Sequence, residues 1–279
     1  MQDHGPTTTG TKVAWYAYKT FCILIFAFLI MPILAVVPLS FSALPFFAYT
    51  PEMLRLEPSA FSTQWYKQVL FGTEWRAAFF NTMEIGLWST VMATAIGTLA
   101  ALGLEKSTFR GREVLSAIFL LPIFAPTIVL ATGLYFLYAE LGLLNTKLGI
   151  ILAHATISAP FVMLSVRASL SMIDSRLMRA AANLGAGPVF AFRSVTLPLA
   201  MPGIIGGAIL AFATSFDELV IVLFVGGVET TTIPRQMWTG VREDLSPRVL
   251  AVSSLMAALA IGTLILTQLL RRSARLPGK

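Results

Sequence analysis

Charge is almost absent from six long stretches of this chain, and that limits what it can fold into. The apolar blocks run roughly Phe21–Leu44, Phe80–Leu104, Val114–Tyr138, Leu148–Val166, Met201–Val225 and Val249–Leu270, with Glu84, Asp217 and Glu218 the only charged residues inside them. A hydrocarbon layer of roughly 30 Å is crossed by about 20 apolar residues in a helix. A barrel strand would instead be about ten residues long with alternating polarity. Inside lipid every backbone N–H and C=O needs an internal partner, so blocks of this length are expected to be helices. Only 12% of the 279 residues are charged and 56% are hydrophobic, whereas soluble domains are near a quarter charged. The expected fold class is therefore an all-α integral membrane protein with six transmembrane helices. Residues 1–20 and 271–279 are expected to form tails, and 21–270 a single transmembrane domain.

The net charge of +6 does not point to nucleic acid, because the basic residues are spread through the connections rather than gathered with stacking aromatics on one surface. Their distribution sets orientation instead. With the N-terminus inside, thirteen Lys and Arg fall on the cytoplasmic side, among them Lys12, Lys19, Lys106, Arg110, Arg112, Arg167, Arg176, Arg179, Arg193, Arg271 and Arg272. Seven fall outside: Arg55, Lys67, Arg76, Lys147, Arg235, Arg242 and Arg248. The bias predicts a multi-pass protein with both termini in the cytoplasm. The first block is too long for a signal-peptide core and lacks a small-residue cleavage site, so an uncleaved first helix is expected. Cys22, the one cysteine, lies inside that block and cannot form an internal disulfide.

Between the fourth and fifth blocks, the segment 167–200 is too polar to span yet strongly patterned. Asp174 or Ser175 can cap a short helix through Leu177 and Ala181. Gly185 and Gly187 then stop it, and Pro188 starts a second stretch at a position proline tolerates, which is expected to end near Leu197-Pro198. The spacing of Ala180-Ala181, Gly185 and Val195-x-Leu197-Pro198 resembles the EAA signature of permeases in binding-protein-dependent ABC importers. That resemblance implies a type I importer permease whose cytoplasmic coupling helix, between spans 4 and 5, docks into an ATP-binding subunit. Leu177, Arg179, Ala180, Ala181, Gly185, Ala186, Val195, Leu197 and Pro198 would carry the contact. Arg179 stands where the family carries Glu. Ser215-Phe216-Asp217-Glu218-Leu219-Val220, and Ile233-Pro234 followed by Ser246-Pro247, are similar to the second permease subunit of polyamine-type importers. The resemblance implies a bacterial inner-membrane location and four partners or partner classes: a different second permease, two ATPase subunits, a periplasmic or extracellular solute-binding protein, and lipid.

A charge at the bilayer centre costs at least about 2.5–3.5 kcal/mol on insertion scales, so the intramembrane acids need compensation. Glu84, Asp217 and Glu218, with Phe216 beside them, are expected to help form an acidic vestibule for a cationic solute; the alternative is hydrogen bonding between spans. Gly203 and Gly207 make a GxxxG face suited to close helix packing. Pro122, Pro126 and Pro160 are expected to kink or open their helices. Short surface helices are expected in the external segments Pro45–Trp75 and Gly226–Pro247, the latter after Pro234. No phosphate-binding GxxxxGK[ST] occurs, so ATP and Mg are expected on partner subunits, with no cofactor or metal in this chain. His154 reads as a packing or hydrogen-bonding residue. No catalytic constellation is legible. A proton-coupled secondary transporter using Asp217 or Glu218 is the rival reading, and a second small-solute class such as aminophosphonates or amino-acid-like compounds is the rival substrate.

Overall fold

The structure is a computed structural model that describes residues 9–106, 109–244 and 246–273; the outermost parts of both expected tails lie outside them. Among the described residues the chain is helical throughout, with a single isolated antiparallel bridge, Ser42 to Phe61. It divides into two compact units, Met1–Gly72 with Thr239–Lys279, and Thr73–Trp238.

The first unit opens with α1, Thr9–Ser40, apolar on all sides and exposed along its most hydrophobic window. A helix that is hydrophobic all round is stable only when surrounded by lipid or protein. Residues 9–20, expected as tail, are already helical. Trp15, Tyr16 and Tyr18 are exposed near this end, and Lys19 lies over the Trp15 ring at 5.1 Å, a grouping typical of a membrane interface. After Ser40 the chain leaves the helix for two short ones, α2 (Pro51–Leu54) and α3 (Gln64–Phe71). Side chains fix this excursion. Trp65 Nε1 donates to the Ser42 carbonyl at 2.7 Å, Gln64 Nε2 to that of Ala43 at 2.9 Å, and the Tyr66 and Ser40 hydroxyls meet at 2.6 Å.

The second unit is built on α4 (Thr73–Lys106), α5 (Arg112–Phe124), α6 (Thr127–Leu141), α7 (Lys147–Ser171), α8 (Ser175–Asn183), α9 (Pro188–Ala191), α10 (Leu197–Phe216) and α11 (Val220–Val225). From there α12 (Ile233–Thr239) leads back to the first unit and α13 (Pro247–Ser273). The centre is α7, packed by α4 and α10, which also pack against each other. Apolar side chains gain little by leaving lipid for a protein neighbour, so close backbone approach must hold these helices together. Glycines permit it. A Cβ on Gly97 would stand 2.6 Å from the Ala159 carbonyl oxygen, and one on Gly207 would stand 2.8 Å from Val162 Cα. One on Gly203 would strike the Ser169 hydroxyl. The Gly203/Gly207 face does pack a helix, and the helix is α7.

Among the described residues four helices are long and apolar enough to cross a membrane: 10–40, 73–105, 147–171 and 188–216. The block Val114–Tyr138, expected as one crossing, is instead two helices meeting at 102°. The cause is the Pro122/Pro126 pair. Pro126 has no N–H to return to the Pro122 carbonyl, and it forces the residue before it out of the helical region; Ala125 sits at φ −74°, ψ 134°. Pro160 by contrast lies inside α7 without breaking it. The fifth block is also revised: its helical run covers 188–216, earlier than Met201–Val225, and stops at Asp217. A shorter apolar helix, Pro247–Gly262, occupies the sixth block.

Candidate functional site

Asp174 caps α8, its carboxylate accepting from the Arg176 N–H at 2.8 Å. At the other end Gly185 takes φ +82°, the Gly185 N–H bonds the Ala182 carbonyl, and the Ala186 N–H reaches back to Ala181, both at 3.0 Å. These paired bonds around a left-handed residue are the Schellman arrangement. They explain the spacing seen in the sequence. Ala181, Gly185 and Ala186 occupy the positions that close a helix, and glycine meets no Cβ penalty where φ is positive.

The face this helix presents is unusual for an aqueous surface. Met172, Leu177, Leu184, Val189 and Phe190 are exposed, Leu184 at 88%, and exposed Arg176, Arg179 and Arg193 stand among them. Ala180 is exposed and Ala181 half-buried. These large apolar side chains have no internal cover. On the inner side the Thr196 hydroxyl reaches Met178 Sδ at 3.3 Å, tying α8 to the root of α10.

That root corrects one expectation. The helix does not end at Leu197-Pro198. From Pro188 it passes through a π-helical turn, Phe192–Thr196, and continues into α10, with the Leu197 N–H bonding the Phe192 carbonyl. Pro198 sits in the first turn after this widening, where its missing N–H is tolerated. Val195 and Leu197 are half-buried and Pro198 exposed. The connection is thus continuous with a membrane-crossing helix.

The acids fall at a second interruption. Asp217 is the exposed C-cap of α10, and Glu218 follows in the non-helical link, its carboxylate accepting from the Ile221 N–H at 3.0 Å as α11 begins. Two acids expected inside a continuous helix therefore lie in a break, where their directions do not follow the helical 100° step. Phe216 is half-buried, with its ring 5.9 Å from that of Phe212. Glu84 does not join them through a bond. It is ion-paired with Lys147 at the start of α7, at 2.6 Å.

A side chain of α7 bonds the end of α10, side chains of α4 hold the connection that follows α11, and sequence reasoning missed most of them. Asn81 Nδ2 donates to the carbonyls of Glu229 and Thr231 at 2.8 and 3.0 Å, and the buried Thr82 hydroxyl accepts from the Ile233 N–H at 2.8 Å. Arg235 donates to the Gly227 carbonyl at 2.8 Å. Partial burial draws its pKa below the usual arginine value, though a guanidinium stays charged throughout the accessible range. His154, fully buried, shares a hydrogen bond of 2.8 Å with Ser215, the residue before Phe216. That matches the hydrogen-bonding role read for His154. The polar pair Asn81-Thr82 early in an apolar block was the available signal for the rest. Among the described residues no group of His, Cys, Asp or Glu could hold a metal ion.

Comparison with known proteins bears on this arrangement. Residues 93–276 match the family model described as "Binding-protein-dependent transport system inner membrane component". The chain is 29% identical over 258 residues to the spermidine/putrescine transport system permease protein of Haemophilus influenzae, covering 92% of this chain and 97% of that one. With the putrescine transport system permease protein of Escherichia coli K12 it shares 31% identity over 237 residues, 82% of each chain. In fold it is similar to a chain of a bacterial alginate ABC transporter crystallised with an alginate pentasaccharide-bound periplasmic protein. The TM-score there is 0.71 with 17% identity, over 96% of this chain and 98% of that one.

Proposed function

Because the chain belongs to the family of binding-protein-dependent transport system inner membrane components, matched from residue 93 to 276, we propose that it is one permease subunit of an ATP-driven importer for a small cationic solute, a polyamine or a close relative. The observation that carries the coupling part is the exposed apolar rim around the capped helix α8 and on α9, the latter running without a break from Pro188 into the membrane-crossing α10. An ATPase subunit seated on Leu177, Leu184 and Phe190 would move α10 directly, because the π turn passes displacement along a continuous helix. Arg179 then faces the ATPase and calls for an acid on that partner.

In this reading both termini are cytoplasmic and the chain crosses six times, with the bent α5–α6 pair and α13 completing the count. A second, different permease supplies the other half of the path, and a solute-binding protein delivers to the segments 45–75 and 226–247. The polyamine assignment is supported by the relatives, which are polyamine-system permeases, and by the acids at the α10–α11 break. Ion attraction there is worth more than in bulk water because the surrounding medium is less polar.

The test is the ATPase activity of the purified complex in lipid, with the binding protein empty or loaded with spermidine or putrescine. Stimulation by the polyamine-loaded form alone is expected. Stimulation by another loaded solute would retain the importer and discard the polyamine. A complex that purifies with no ATPase and transports on a proton gradient would replace the reading with a proton-coupled carrier.

A further inference from the structure

At the membrane face where α4 ends, α5 begins and α7 approaches its own end, a half-open cleft of about 420 Å³ is lined by Arg112, Glu113, Ser116, Ala117, Leu120 and Arg167. A water occupies roughly 30 Å³ in the liquid, so this space takes a group of many atoms. Its floor and rim differ in chemistry along α5. Charge lies in the first turn, at Arg112 and Glu113, a hydroxyl one turn on at Ser116, and apolar side chains at Ala117 and Leu120 deeper into the span. Exposed Leu115, Ile118 and Leu121 continue the apolar surface of the same helix.

The charges are arranged rather than merely gathered. Arg167 Nη1 donates to Ser116 Oγ at 3.0 Å. A single oxygen of Glu105 lies 3.6 Å from Arg167 Nε and 3.7 Å from Arg112 Nη2. Those separations exceed hydrogen-bond length, so Glu105 holds the two guanidinium groups side by side without saturating the fork of Arg167. Glu113 is exposed and makes no ion pair with a described residue. The lining therefore carries two guanidinium groups and one carboxylate, Glu113, with Glu105 beside the guanidinium pair.

We infer that the cleft binds the headgroup of an ethanolamine phospholipid. The phosphate bonds the guanidinium groups of Arg167 and Arg112, which match its geometry, and the primary ammonium bonds Glu113. The glycerol lies at Ser116, and the first methylenes cover Ala117 and Leu120. A purely anionic headgroup would leave Glu113 facing a negative charge. A choline headgroup cannot donate a hydrogen bond to it. Basic pockets between spans at a membrane face are established sites of phospholipid recognition, and the added carboxylate selects the zwitterion. The site lies at a membrane face whichever way the chain is oriented, so it stands apart from the direction of transport and from the solute.

The experiment is native mass spectrometry of the full-length chain in mild detergent, offered equal amounts of phosphatidylethanolamine, phosphatidylglycerol and phosphatidylcholine. Preferential retention of phosphatidylethanolamine is expected. Glu113→Gln lowers that preference about tenfold, the size of one charge-assisted hydrogen bond, at an unchanged melting temperature. Ala117→Trp fills the cleft and reduces retention of phosphatidylethanolamine to the level of phosphatidylcholine. Equal retention of the three lipids, or a preference untouched by both variants, overturns the assignment. Displacement of the lipid by glycerophosphoethanolamine at comparable concentration would show that the apolar floor contributes nothing and would make the ligand a soluble phosphodiester instead.

Discussion

Two interruptions of helix in this chain, at 184–187 and at 217–219, look alike in outline and are held by different means. The first, after α8, is closed by backbone: Gly185 at φ +82° and the returning N–H groups of Gly185 and Ala186. The second, after α10, combines a local cap, Glu218 accepting from the Ile221 N–H, with bonds from distant parts of the chain. His154 holds Ser215 at the end of α10, and Asn81 and Thr82 fix residues 229–233, on the far side of α11 and about 150 positions later. A local device needs no neighbouring helix to keep its geometry. A break tied by tertiary bonds depends instead on the packing of the helices around it.

That contrast gives expected outcomes, beginning with the largest. Thr82→Val strips the Ile233 N–H of its buried acceptor, so stability falls by about 1–3 kcal/mol, seen as a lower melting temperature in detergent, and transport falls with it. Asn81→Ala acts in the same direction. No loss of stability from either would break the comparison. Gly185→Ala forces a side chain into the left-handed region at a cost of about 1–2 kcal/mol. Nothing lies within 4 Å of a Cβ there, so the expense is conformational and local: the complex should melt near the native temperature while ATPase stimulation drops. A global fall in melting temperature would show that the α8 cap is not an independent device.

Glu84→Gln removes an ion pair whose partners are 40% and 47% exposed, worth about 0–1 kcal/mol. Transport at the native rate would assign Glu84 to structure; a change in solute affinity at unchanged melting temperature would return it to the path. Asp217→Asn has the smallest effect on stability, about 0.3 kcal/mol in the stabilising direction, because an acid at a helix C-terminus opposes the helix dipole. Its expected effect is on uptake alone, measured in proteoliposomes. Unchanged uptake removes Asp217 from the path.

The difference between the two interruptions is also a difference in what could be read beforehand. Six apolar blocks settled the class of the protein, because a hydrocarbon layer admits few backbone solutions. Asp174, Ala181, Gly185 and Ala186 were legible because a cap and a Schellman turn are written in residues a few positions apart. The bend at Ala125–Pro126 was legible as a kink, but its 102° was not: the proline pair removes a hydrogen bond without saying where the freed helix goes. The run through Pro198 was misread as a stop, since proline in a first turn and proline at a helix end are the same letter in a sequence. What only the tertiary structure decided was the pairing of Glu84 with Lys147, the hold of Asn81 and Thr82 on the residues near 230, and the gathering of Glu105, Arg112 and Arg167 at one cleft. Each of these joins positions far apart in the chain. Their meeting depends on how closely α4 and α10 approach α7, and that approach is set by which glycines face which backbone, a property of the packed helices rather than of any one of them.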